Sequence, residues 1–262
     1  MSISESLYFT YDGINFYEEF GIMNIHVDNS GLYQETFLSN RNIIEQTTRY
    51  NQKPYFIEAI ESPKQIQVSF AFYNGFDEDK LHAVARALKK DYYCPLIFSE
   101  NPDKIYYALC IDENNLIHTG NSQGYISLQF RLNSPYVFSP VYSTVLYDLS
   151  SNEVGGTNIT LTNSGDINMF FVATIQVISG GTFSIVNLSD GGKKMSFTGI
   201  ANNEIITINT ENEDITTDQI LTYRYDKLSS DSVFMTIPYG INSLQIYGNV
   251  KLQFYYEFRF LV

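Results

Sequence analysis

Between Gln65 and Tyr73 apolar side chains fall on every second residue. Ile66, Val68, Phe70 and Phe72 share one face, while Gln65, Gln67 and Ser69 share the other. A period of two is the pattern of a strand buried on one side. Gly124 to Leu132 repeats it, with Ile126, Leu128, Phe130 and Leu132 opposed to Tyr125, Ser127, Gln129 and Arg131. The last segment is the clearest: Val250, Leu252, Phe254, Tyr256, Phe258 and Phe260 alternate with Lys251, Gln253, Tyr255, Glu257 and Arg259. A helical period occurs in one place. Leu81, Val84, Ala85 and Leu88 recur at i, i+3, i+4 and i+7 and predict a helix over about 77–90. Asp77, Glu78 and Asp79 sit at its positive end, and Arg86, Lys89 and Lys90 at its negative end.

Turn signals divide the rest. Asp12-Gly13 joins a strand at Tyr8–Tyr11 to a return strand starting at Ile14-Asn15-Phe16. Met23 to Val27 reads as a strand, broken at Asn29-Ser30-Gly31. Residues 39–55 are polar and carry Arg41, Arg49 and Lys53, which suits an extended hairpin or arm better than core. Cys94–Phe98 and Ile105–Ile111 read as a hairpin. Near residue 140 the character changes: Lys and Arg thin out to Lys193, Lys194, Arg224, Lys227, Lys251 and Arg259. Strands are expected near 157–162, 168–178, 182–188, 193–198, 204–209, 220–225, 233–237, 243–247 and 249–261. Regular short strands between turns such as Gly180-Gly181 and Asn202-Asn203 indicate a β-sandwich or jelly roll. The expected division is therefore 1–140, a polar linker at 141–156, and 157–262.

Composition narrows the function classes. The chain has 262 residues, 21 Tyr, 19 Phe and no Trp, and a formal net charge of −13. Such acidity disfavours nucleic acid and anionic membrane as partners, since both select clustered Lys and Arg. The N-terminal residues lack the basic and apolar regions of a signal peptide, so synthesis is expected to end in the cytosol. Cys94 and Cys110 are the two cysteines, expected as free thiols. If Phe98 faces Tyr106 in the hairpin, Cys94 faces Cys110.

Candidate chemistry is thin. His26, His82 and His118 are scattered, and neither a Gly-x-Ser-x-Gly nor a His-Glu-x-x-His motif occurs. Of the acidic clusters Glu18-Glu19, Asp77-Glu78-Asp79 and Glu211-Asn212-Glu213-Asp214, the second is a helix start and the third reads as a solvated loop. A weak calcium site there would lack the ordered spacing of an EF-hand. Asp190-Gly191-Gly192-Lys193-Lys194 lacks the remaining residues of a phosphate loop and reads as a hairpin turn. Tyr239, Tyr247 and Tyr255 are candidates for stacking on sugars, against the plainer reading as core or interface tyrosines. No catalytic, metal or cofactor residue is assigned.

The ordered set of N-terminal elements resembles the N-terminal domain of siphophage distal tail proteins. Its pieces are Phe9-Thr10-Tyr11-Asp12-Gly13-Ile14, the strand Ile66–Phe70 before the helix, Pro95-Leu96-Ile97-Phe98-Ser99, Tyr106-Tyr107-Ala108, and Gly124–Leu128 running into Asn133-Ser134-Pro135-Tyr136. Asn187-Leu188-Ser189-Asp190-Gly191-Gly192-Lys193-Lys194 and the final aromatic strand look like that family's galectin-like C-terminal domain. The resemblance implies a mainly β, two-domain structural protein of the virion tail tip, assembled in the host cytoplasm. It implies a homo-hexameric ring that joins the tail tube protein to the tail-tip protein, lets DNA through, and in some members carries adhesion proteins. It implies no enzyme activity and no cofactor. The readings from other classes are a glycan-binding β-sandwich in host-surface adhesion and, behind it, a hydrolase.

Overall fold

The computed structural model describes residues 3–25, 40–111, 115–120 and 122–261. The chain divides into two compact units, Met1–Ser139 with Leu261–Val262, and Pro140–Phe260. Both are mainly antiparallel β-structure.

The first unit begins with β1 (Phe9–Tyr11) and β2 (Ile14–Asn15). Asp12 and Gly13 between them have φ of 51° and 76°, the pair of positive angles that an Asp-Gly hairpin turn needs. Phe16 does not continue the return strand. It opens a short helix, α1 (Phe16–Phe20), capped by the Asn15 side chain, which accepts from the Tyr17 and Glu18 amides, and closed by Gly21 in the left-handed region. Next come β3 (Ile22–Asn24), β4 (Arg41–Thr48), β5 (Asn51–Glu61), β6 (Gln65–Phe72) and α2 (Glu78–Leu88). Asp77 caps α2, and its side chain accepts from the Lys80 amide. The unit continues with β7 (Cys94–Phe98), β8 (Asn101–Ile111), β9 (Leu116–His118), β10 (Gly124–Leu132) and β11 (Tyr136–Phe138).

The main sheet runs β2-β1-β7-β8-β10-β6-β3, with β9 on β10 and β11 on β8. The alternation in β6 and β10 is used as expected: Ile66, Val68, Phe70, Leu128, Phe130 and Leu132 are buried together with Val84, Ala87 and Leu88 of α2. Phe9 stacks on Phe16 with centroids 4.6 Å apart, so α1 joins the same core. The expected Cys94–Cys110 pairing does not occur. Cys94 faces Ala108, and Cys110 faces Phe130 on the next strand. From Cys94 to Ile97 the pairing lies two residues away from that expectation, and a further shift between Ile97 and Phe98 lets Phe98 face Asn101, so β8 starts earlier than its apolar pattern indicated. Both cysteines are free thiols.

The second unit contains β12 (Tyr142–Ser143), β13 (Tyr147–Leu149), β14 (Thr157–Asn163), β15 (Phe171–Asn187), β16 (Lys193–Thr198), β17 (Ile205–Asn209), β18 (Asp214–Thr217) and β19 (Gly240–Tyr256). Residues 142–143 and 147–149, inside the stretch expected to be a linker, pair with β19. Four of the expected short strands fall in two long ones, although the last does not run on to 261: β19 ends at Tyr256, and Arg259–Leu261 is a separate strand, β20. Gly180-Gly181 and Gly248 bend β15 and β19 without ending them, and the register between the two strands shifts between Ser179 and Ser184. One limb of the bent pair carries β14 and β16, and the other carries β12, β13, β17 and β18. Side chains of both limbs, among them Phe183, Phe197 and Leu244 with Phe171, Ile206 and Phe254, share one core. A single folded sheet thereby encloses its own apolar face, which is the sandwich arrangement. Residues 220–225, expected as a strand, form no strand: Leu221 has φ of 54° and no neighbouring strand is paired there.

A Cβ at Gly248 would collide with the Thr182 carbonyl oxygen and come within 3.0 Å of Phe183 Cα. Gly248→Ala is therefore expected to destabilise the second unit by roughly 2–3 kcal/mol in denaturant titration. Gly191→Ala, also at positive φ but with open space around it, should cost only about 1 kcal/mol. Equal losses at the two positions would mean that the bend does not depend on close approach of the strands.

Candidate assembly surfaces

Of the residues considered for catalysis, His82 and His118 lie on different elements. His82 lies exposed on α2 with Nε2 3.7 Å from Glu78. His118 ends β9, with Nδ1 3.1 Å from the Thr119 carbonyl and its ring edge-on to Phe76. His26 lies outside the described residues. Among the described residues, no group of three or more His, Cys, Asp or Glu side chains could hold a metal. In the 211–214 cluster, Glu211 pairs with Arg259 and Asp214 accepts from the Tyr225 hydroxyl, so two of its carboxylates are engaged by protein groups. Residues 190–192 are a turn that leads into β16, with Lys193 on Asp190 at 2.8 Å and Lys194 on Asp231 at 2.6 Å. Tyr239, Tyr247 and Tyr255 are spread from just before β19 to near its far end. They do not form one stacking platform.

What the structure does display is an arm. β4 and β5 pair with each other and with no other strand among the described residues. Asn40 accepts from the Ser62 amide at 2.9 Å, so the two ends of the arm meet at its base. Arg41 closes that base onto Glu61, with Nε and Nη2 at 2.8 and 2.5 Å from Oε1. Hydrogen bonds from Tyr136 and then Arg41 outweigh burial and hold the Glu61 carboxyl below its usual range.

Beyond the base, large apolar groups face solvent: Ile43, Tyr55, Phe56 and Ile57 are each more than half exposed, and Tyr50 at the tip is 93% exposed. An isolated two-stranded hairpin is marginal in water, so one that leaves large apolar side chains exposed is a candidate interaction site. Arg41, Arg49 and Lys53 balance Glu45, Glu58 and Glu61, so the arm is formally neutral in a chain of −13. The polar residues at 39–55 indicate an arm, but its exposed apolar side chains lie mainly in Tyr55–Ile60, where Tyr55, Phe56 and Ile57 are consecutive and give no alternation to read.

A second surface sits on the other unit. Glu204, fully buried, receives Arg224 through Nε at 2.6 Å and Nη2 at 3.0 Å, the Thr217 hydroxyl at 2.6 Å and the Ala201 amide at 3.0 Å. Burial alone would push this carboxyl up. The bonds from Arg224, Thr217 and Ala201 outweigh it and hold the carboxyl below the ordinary value. This pair fastens the loop that carries Ile220, Leu221 and Tyr223.

Residues 4–134 match the family model described as phage tail protein N-terminal domain. Over 260 residues the chain is 32% identical to the SPbeta prophage-derived protein YomH of Bacillus subtilis (strain 168), covering 99% of this chain and 100% of that one. In fold it is similar to the Dit protein of phage SPP1, called a paradigm of the hub adsorption apparatus in phages infecting Gram-positive bacteria. That likeness has a TM-score of 0.70 at 14% identity and covers 97% of this chain and 99% of the other. It is also similar to a chain of the phage P2 baseplate in its activated conformation with Ca, with a TM-score of 0.50 at 11% identity and 90% of each chain covered.

Removing one partner of a buried ion pair typically costs about 3–5 kcal/mol, and Arg224→Ala is expected to fall in that range in chemical denaturation of the full chain. Because the Glu204 carboxyl is lowered in the folded state, its stabilisation is complete above the unfolded value of about 4.3 and is lost as pH falls below it. Glu204→Gln should flatten that acid limb of the stability profile. An unchanged limb would place the pair outside the acid response.

Proposed function

We propose a structural role for this chain, which belongs to the phage tail protein family: six copies close into a hub ring at the tail tip, built by the N-terminal units. In this reading the ring joins the tail tube protein to the tail-tip protein and leaves a passage for DNA. Residues 1–140 form the ring and residues 157–262 are the galectin-like peripheral domain, available to adhesion proteins. The protein is non-catalytic and assembles in the host cytoplasm before it is part of the virion.

The observation that carries this reading is the exposed, neutral arm on a chain whose fold follows a hub protein over nearly its full length. Six chains at −13 total −78, so unscreened repulsion opposes closure. Exposed charges are screened beyond about 8 Å at physiological salt, and apolar contact from the arm, or its main-chain pairing with a neighbour's sheet edge, supplies attraction that salt does not weaken. A heterologous contact that closes avoids an open filament. An acidic lumen keeps DNA from adhering as it passes.

Because Asn40 and Ser62 meet at the base, the arm can be replaced by a short Gly-Ser turn without reaching the core. Light scattering of the full chain should give a mass near six copies that persists or grows as salt rises. The arm-less variant should fold yet remain monomeric. A full chain that is monomeric at every salt and at high concentration would contradict autonomous ring formation.

A further inference from the structure

We infer that the loop over residues 218–224 is a preformed plug for another protein, one that offers an apolar pocket rimmed by Lys or Arg. Ile220 is 89% exposed, Leu221 is 103% exposed, and Tyr223 is 67% exposed. Tyr223 stacks on Tyr225 with centroids 4.9 Å apart, which gives the aliphatic tip an aromatic shoulder. The loop is held from both sides. The Ile205 amide donates to Asp218 at one end. Arg224 enters the interior to Glu204 at the other. Tyr225 is fixed by the Ile215 amide and by the Glu213 carbonyl, both at 3.0 Å. A tip so anchored loses little freedom on binding.

Leu221 stands at φ of 54°, where a branched side chain is unfavourable and Gly or Asn would serve better. A large apolar group thus occupies the position where it helps the isolated fold least. A binding role accounts for that choice and a structural one does not. Charge selects the partner. Arg224 is consumed by Glu204, while Asp214, in contact with the Tyr225 hydroxyl, and Asp218 remain at the surface beside the tip. Carboxylates around the plug disfavour an anionic bilayer, nucleic acid and a second copy of the same acidic patch. An aliphatic pair offers a carbohydrate no hydrogen bond. What fits is a protein pocket with apolar walls and a cationic rim.

The inference rests on the tail-component reading, and the test separates the two. Leu221 is replaced by photoreactive benzoylphenylalanine in the full chain, and purified tails from the parent phage are irradiated. The expected result is an adduct to a different tail protein, mapped to apolar residues flanked by Lys or Arg. Leu221→Gly should abolish binding of that protein while leaving the melting temperature of the chain unchanged or raised. Asp214→Asn with Asp218→Asn, which keep acceptors for the Tyr225 hydroxyl and the Ile205 amide, should weaken the association several-fold at low salt, and unchanged affinity would contradict the charge argument. Tails that contain the chain but give no adduct, or adducts to other copies of it, would overturn the inference alone. So would a melting temperature lowered by Leu221→Gly. Tails that lack the chain would overturn both readings.

Discussion

Strand β19 carries the C-terminal unit. It runs for 17 residues, and Asn242, Leu244 and Ile246 on one limb and Val250, Leu252 and Phe254 on the other are all buried. Alternation has to survive the bend, because a slip of one residue would turn a whole limb's apolar set to solvent. Gly248 makes the bend, and β15 follows it with Gly180-Gly181. Since β12, β13, β14 and β15 all pair with β19, each takes its place from that one strand. The polar residues in this core are tied in the same way. Asn163 donates to the Ile167 and Ile237 carbonyls, and Asn187 donates to Asn242.

The arm is the opposite case. Among the described residues its strands pair only with each other, and apolar groups lie exposed along β5. Burying a side chain of the size of Phe56 or Ile57 contributes about 1.5–3 kcal/mol, so the arm gains most from an external surface. The 218–224 loop has the same property for a different reason: its base is locked inside the fold and its tip is left outside. In both places the intramolecular interactions stop short of the apolar side chains that most need cover, and that incompleteness supports assembly over catalysis.

Much of this was legible in the sequence, and the remainder failed for identifiable causes. Period-two runs at 65–72 and 124–132, the helix near 77–90 and the Asp12-Gly13 turn all rest on local pattern, and they formed where the pattern put them. Helix α1 was missed because five residues hold too few turns for a period to show, although Asn15, Gly21 and the Phe16–Phe20 spacing were the signals present. Glycine pairs mark turns and bends alike, so Gly180-Gly181 read as an end when it was a corner. The Cys94–Cys110 register failed because β7 pairs with β8 two residues away from the expected alignment, and the shift after Ile97 leaves no simple turn from which to count. The loop at 220–225 has the apolar content of a strand, but Leu221 turns to positive φ, no strand pairs with the segment, and Tyr225 opens a 3-10 helix.

Hydrogen exchange along a concentration series of the purified full chain tests most directly whether the arm is an assembly element. In dilute monomer the amides of residues 41–61 should exchange fast while those of α2 and β19 stay protected. As the mass approaches six copies, arm exchange should slow by about tenfold or more with α2 and β19 unchanged. Arm amides that exchange equally fast in monomer and assembly would contradict the account.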